Sequence, residues 1–247
     1  MGHDTEIHGD GVLRVVPANE YRRVRWKNGR GWTREAVQGR LVQGPGGPAF
    51  PEGSDQDAGP QLGDGNADRS ASDDAWDWRL SIAEIDEDTA YSCFPGIDRE
   101  QMLLSGNGLR LRIGGHAVSL LPPHDRHVFP GEAAVFAELV DGRVQAINLM
   151  WRRGRVALQS WFRPLVGPML VFADPAETWV VHLVSGHADL DRANATPRLE
   201  AGDTMVLQGL GHRRRCLIEG AGSVLLARIA PVSVDGEAAA GPSATPQ

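Results

Sequence analysis

Short runs of alternating apolar and polar residues, broken by glycine, proline or aspartate, recur along this 247-residue chain and leave it little to form but β-sheet. Residues 76–85, WDWRLSIAEI, set Trp76, Trp78, Leu80 and Ile82 against Asp77, Arg79, Ser81 and Ala83. Residues 108–113, GLRLRI, set Leu109, Leu111 and Ile113 against Arg110 and Arg112. TWVVHLVSG, DTMVLQ and SVLLARIA are further strand-like runs, and only Arg99–Leu104 suggests a helical turn. LLSGNGLRLRI at 103–113 echoes HLVSGHADLDR at 182–192. Gly131-Glu132 and Gly202-Asp203 follow as matching turns. Such an echo predicts two copies of one β unit, as in a tandem pair of jelly rolls.

Several classes are excluded. No apolar run approaches the ~20 residues of a membrane-spanning helix, and MGHDTEIHGDG lacks the features of a signal peptide. Two cysteines, Cys93 and Cys216, cannot build a disulfide framework, so a reducing, cytoplasmic location is expected. The net charge of −7 is concentrated outside the packed body: residues 40–75 hold seven acids against two arginines. The body is mildly basic but gathers no nucleic-acid footprint. Residues 1–10, 43–74 and 232–247 have too little to bury and are expected to be disordered. The remainder divides into a first unit over 11–155 and a second over 156–231.

Chemistry-bearing residues cluster in three places. WKNGRGWTRE (26–35) puts Lys27, in a chain nearly devoid of lysine, beside Asn28 before two glycines, then Thr33 and Glu35 on a strand. A cation with an amide suits a carboxylate, although an ordinary Asn-Gly turn explains the same string. Arg79 either points to solvent or, if the sheet curls around a ligand, points inward to hold an acid. Residues 137–154 read as a hairpin turned at Asp141-Gly142, with Glu138 and Asn148 as polar candidates beside Arg79. His124, His127, His182, His187 and His212 lack an H-x-H pair, so no metal and no cofactor is expected. No G-x-S-x-G elbow or phosphate-binding glycine loop is present.

WKNGRGWTRE, WDWRLSIAEI, FPGIDR (94–99), LLSGNGLRLRIGG (103–115), FPGE (129–132) and AELVDGRVQAINLMWRRG (137–154) together resemble the HutD/Ves family, in its order across residues 13–230. The resemblance implies an all-β bicupin, two fused jelly-roll (RmlC-like) barrels. It also implies a role in histidine utilisation, through binding a small carboxylate such as urocanate or formate. By the same likeness Lys27, Asn28, Thr33, Glu35, Arg79 and Asn148 line a pocket in the first unit. Arg30 stands where the family usually has a third glycine, and residues 40–75 replace a short connection. The expected partner is a small anionic metabolite, with no nucleic acid and no membrane; a homodimer is left open. A binder is expected rather than an enzyme. The alternative is a metal-independent cupin enzyme using Glu35 or Lys27 for proton transfer, and a weaker one is a metal enzyme using His124, His127 or His212.

Overall fold

The computed structural model describes residues 13–26, 28–41, 76–190 and 198–232. The expected disordered segments at 1–10 and 43–74, nearly all of that at 232–247, and Lys27 therefore lie outside the described residues. Among the described residues sixteen strands form three antiparallel sheets. The first to sixth are β1 (Leu13–Val16), β2 (Arg22–Arg25), β3 (Gly31–Gly39), β4 (Trp78–Ile85), β5 (Thr89–Ala90) and β6 (Ile97–Ser105). Then come β7 (Leu109–Ile113), β8 (His116–Leu120), β9 (Arg126–Pro130), β10 (Val135–Leu139) and β11 (Val144–Arg152). The last five are β12 (Val156–Ala173), β13 (Thr178–Leu190), β14 (Leu199–Glu200), β15 (Thr204–Gln208) and β16 (Arg214–Pro231). Among the described residues no helix is long and apolar enough to cross a membrane.

A central sheet runs β2-β3-β4-β11-β6-β9. One of its faces packs on the sheet β1-β15-β13-β16-β12, to which β14 adds beside β13. Trp78, Leu80, Ile82, Ile147 and Leu149 meet Val180, Val206, Leu225 and Ile229 there. The other face packs on the four-stranded sheet β5-β10-β7-β8, through Ala83, Ile85 and Leu103 against Leu109, Leu111 and Ala137. A third core fills the curl of the long strands β12, β13 and β16, around Val181, Leu183, Met205, Ile218 and Val224. With layers on both sides of it, β4 is buried on both faces. Asp77 and Ser81 are as buried as Trp78 and Leu80, so alternation along this strand separates two interiors rather than core from solvent.

Three sequence expectations change here. Arg99–Leu104 is no helical turn but the middle of β6, paired with β11 and β9. The expected hairpin over 137–154 is not one: β10 pairs with β5 and β7, and β11 with β4 and β6. Asp141-Gly142 does turn the chain, with Gly142 at φ +72°, but the turn carries it from one sheet to the next. Finally, β1, expected with the first unit, pairs with β15 in the sheet of the second half. Leu13 and Val15 pack on that sheet's own core, while Val16 joins the layer shared with the central sheet.

The internal echo has a structural counterpart. Pairing slips at Leu104, between Leu103 opposite Ala146 and Ser105 opposite Gln145. It slips likewise at Val184, between Leu183 opposite Val224 and Ser185 opposite Ser223. Gly106 and Gly186 both follow with positive φ, +105° and +84°. Leu103 N–H donates to the Asp125 carbonyl and Leu183 N–H to that of Asp203, each at 3.0 Å. The counterpart of Asp203 is thus Asp125 rather than Glu132. Each of the two carboxylates accepts from a backbone N–H in its own turn, Leu121 at 3.0 Å and Glu200 at 2.8 Å.

Between the central and second-half sheets lies a buried polar chain. Tyr21 Oη and Thr204 Oγ1 are 2.6 Å apart, and Thr204 Oγ1 is 3.0 Å from His182 Nδ1. Burial, with the Arg34 charge nearby, lowers the His182 pKa to about 4, so the ring is neutral in the fold. An unfolded histidine titrates near 6.5, so between pH 6.5 and 4 the unfolded chain binds the extra proton. This contribution to stability is complete above pH 6.5 and is lost as pH falls toward 4. His182→Gln should therefore flatten the acid limb of a denaturation-midpoint profile by about one proton; an unaltered limb would contradict the assignment.

Candidate functional site

On the face of the central sheet turned toward the four-stranded sheet, register aligns two polar rows. Arg79, Met150 and Arg99 lie side by side on β4, β11 and β6, and Ser81, Asn148 and Gln101 lie beside them. Period-two placement makes this inevitable once the strands pair, because residues 79 and 81, 148 and 150, and 99 and 101 share one face of their strands. The next row, Ala83, Ala146 and Leu103, begins the apolar filling.

Arg99 dominates the site. It is 6% exposed, and its Nε and Nη2 donate to Asn148 Oδ1 at 3.3 and 3.2 Å. Its guanidinium lies 5.0 Å from the Tyr91 ring centroid, 5.6 Å from Phe94 and 5.2 Å from Phe129. Among the described residues no carboxylate forms an ion pair with it. Burial, reinforced by the Arg79 charge, draws its pKa down to about 10, which still leaves it cationic at neutral pH. Arg79 shares the Phe94 ring at 6.0 Å, lies 5.2 Å from Trp76, and places Nη2 3.1 Å from Met150 Sδ. Tyr91 donates to Gln101 Oε1 at 3.0 Å, and burial raises the phenol to about 12, so it stays protonated. The result is two guanidinium groups, an amide and a phenol, walled by aromatic rings.

Of the six residues expected at the pocket, Arg79 and Asn148 are brought together here. Arg79 points inward, resolving the two orientations its strand allowed. Asn28 instead straps a turn: its Nδ2 donates to Thr89 Oγ1 at 2.8 Å and its Oδ1 accepts from Arg30 N–H at 3.0 Å. Gly29, at φ +74°, completes this Asn-Gly turn. Thr33 Oγ1 accepts from Trp26 Nε1 at 2.8 Å. Glu35 lies on the same face but near the edge, held by Arg22 Nε at 2.7 Å rather than by Arg79. Glu138 pairs with Arg112 across β10 and β7 instead of joining Asn148, because its strand lies in another sheet. Glu35→Gln should change stability by no more than about 0.5 kcal/mol and leave ligand affinity unaltered in calorimetry, as for any exposed ion pair.

Arg99 and Gln101 are the residues that sequence reading missed. Reading 99–104 as a turn hid the alternation Ile97, Arg99, Gln101, Leu103, which was the available signal. His124 lies tilted against Phe162 with centroids 4.0 Å apart, His127 stacks on Phe129, and His182 is the buried ring described above. Among the described residues no three His, Cys, Asp or Glu side chains gather to hold an ion. Two surface clefts lie elsewhere. One, of about 360 Å³, is bordered by Arg23, Arg34 and Glu84; the other, of about 410 Å³, by Glu100, Arg126 and Ser160. Their charges are largely paired internally, Arg23 and Arg34 with Glu84 and Arg126 with Glu100. Arg99, with no ion pair among the described residues, therefore marks the candidate site.

Comparison with known proteins covers most of the chain. The HutD family model matches residues 18–226, from before β2 to within β16. An uncharacterized 21.2 kDa protein in the hutC 3' region of Pseudomonas putida is 31% identical over 217 residues, 84% of this chain and 96% of that one. Protein Ves of Cronobacter sakazakii is 33% identical over 123 residues, 49% of this chain and 66% of its own. The structure of HutD from Pseudomonas fluorescens SBW25, in a formate condition, superposes with a TM-score of 0.66 at 22% identity. It covers 90% of this chain and 100% of that one, and the likeness shows a shared fold.

Proposed function

The chain belongs to the HutD family, and on that footing we propose that it binds a small carboxylate metabolite at Arg99 and Arg79 and thereby modulates histidine utilisation. The observation that carries this reading is the buried Arg99 guanidinium, held by one amide oxygen and three ring faces with no carboxylate beside it among the described residues. A buried charge is costly unless compensated, and a planar carboxylate compensates a guanidinium through paired charge-assisted hydrogen bonds. Asn148 holds the guanidinium in place, and the phenol of Tyr91 with the Gln101 amide supplies polar edges for orientation. The aromatic walls favour a flat ligand body, since ring faces stack on planar groups. Lys27, outside the described residues, is proposed as a further cation for the same ligand.

Histidine utilisation enters through the Pseudomonas putida relative, which lies in the hutC 3' region. Formate and urocanate are the first probes because both present one small carboxylate. Titration calorimetry of the full chain with formate, urocanate and N-formylglutamate tests the proposal. Saturable heat with at least one acid, competed by a second, is the expected outcome. Absence of heat with all three at millimolar concentration would defeat it.

A further inference from the structure

β12 is the last strand of its sheet, and along its outer half it exposes Val166, Pro168, Leu170 and Phe172 while burying Leu165, Val171 and Ala173. Val166 is 85% exposed and Leu170 50%, an unusual outlay of aliphatic surface on same-face positions. Register with β16 sets Ala221 beside Val166, Glu219 beside Pro168, Leu217 beside Leu170 and Arg215 beside Phe172. The stripe thus has an apolar middle, a basic end and an acidic end. Arg213, itself paired with Asp174 at 3.2 Å, lies 4.6 Å over the Phe172 ring, so Arg215 carries the basic end, and Asp189 on β13 pairs beside Glu219 at the acidic end.

We propose that this face is the contact between two copies of the chain, related by a two-fold axis through the Leu170–Leu217 pair. Along β16, Arg215 and Glu219 stand two residues to either side of Leu217, about 7 Å each at strand rise. A two-fold axis at that point lays the Arg215 of one copy against the Glu219 of the other, twice. It also buries Leu170 on its own image and sets Phe172 against Pro168. Self-complementarity of this kind is what an isologous interface requires, and a chain that had to meet a different partner would have no need of it. The contact is face to face rather than edge to edge. Pro164 and Pro168 remove two N–H donors from β12, which obstructs the addition of another strand to its outer edge.

Sedimentation velocity on the full chain between about 1 and 200 μM tests the proposal. Wild type should sediment at twice the chain mass of 26.7 kDa in the upper part of that range. Leu170→Asp, at an exposed position, should be monomeric throughout with its circular dichroism and carboxylate binding retained. Arg215→Glu should weaken dimerisation at least tenfold, and Arg215→Glu combined with Glu219→Arg should restore it, because the exchange rebuilds both contacts. A wild type that stays monomeric to 200 μM, or a dimer indifferent to Leu170→Asp, would overturn the assignment. So would failure of the charge exchange to restore what the single reversal removes.

Discussion

Arg99→Met should abolish carboxylate binding while raising the stability of the unliganded protein. The two effects share one cause. Arg99 is buried, cationic at neutral pH, and answered only by the Asn148 amide and the Tyr91, Phe94 and Phe129 rings among the described residues. Ring faces and an amide recover part of the hydration energy of a guanidinium, and the remainder weighs on the folded state. Methionine fills similar volume without charge, and such replacements of buried ionic groups commonly stabilise by about 1–4 kcal/mol. Each kcal/mol corresponds to about 2–4 °C in Tm for a chain of this size. Losing the guanidinium removes the ligand's principal counter-charge, so affinity should fall at least about 100-fold. Thermal melts with and without the acid that binds wild type read both quantities. A variant that is less stable and still binds would mean that Arg99 is a structural residue rather than an anion receptor.

Gly186→Ala should destabilise the protein by about 3–5 kcal/mol, near the upper end for a single methyl group. Gly186 sits at φ +84° immediately beyond the slipped pairing at Val184, facing Gly222 of β16. A methyl carbon there would collide with the Ala221 carbonyl oxygen and crowd the Gly222 backbone, both main-chain atoms that cannot swing aside. Gly211→Ala separates the two contributions. It has nearly the same φ, +77°, but its methyl group would meet nothing within 4 Å, so it should cost only about 1 kcal/mol of backbone strain. Chemical denaturation of the two variants measures the difference. Equal losses would show that conformation, not close approach of β13 and β16, makes glycine necessary at 186.

The all-β class was legible from alternation, because which side of a strand each residue faces is a local property. Leu109 and Leu111 inside with Arg110 outside follow directly. The local echo was legible too, since Leu103-Leu104-Ser105-Gly106 and Leu183-Val184-Ser185-Gly186 make the same irregularity at two places. The candidate site was legible only in part. Arg79 and Asn148 stood out as polar residues in strand-like text, and Asn28, Thr33 and Glu35 stood out equally. Nothing local separated the first pair from the other three. Asn28 and Thr33 hold a turn and its strand, and Glu35 meets Arg22, through hydrogen bonds and an ion pair that become visible only once β2, β3 and β5 are placed.

Local residue order is enough to make the chain form strands, to set where most of them begin and end, and to put Arg79 and Ser81 on a face opposite Trp78 and Leu80. Side-chain alternation and turn chemistry act within a few residues, so no partner strand is needed to read them. Which strands became neighbours was settled only in the assembled layers. Their packing parted β10 from β11, carried β1 to the second-half sheet, and buried both faces of β4. By setting β6 beside β11 it also brought Arg99 to Asn148 and Arg79. Pairing between distant segments is chosen by the burial of whole faces against one another, and that sum does not exist until the layers close.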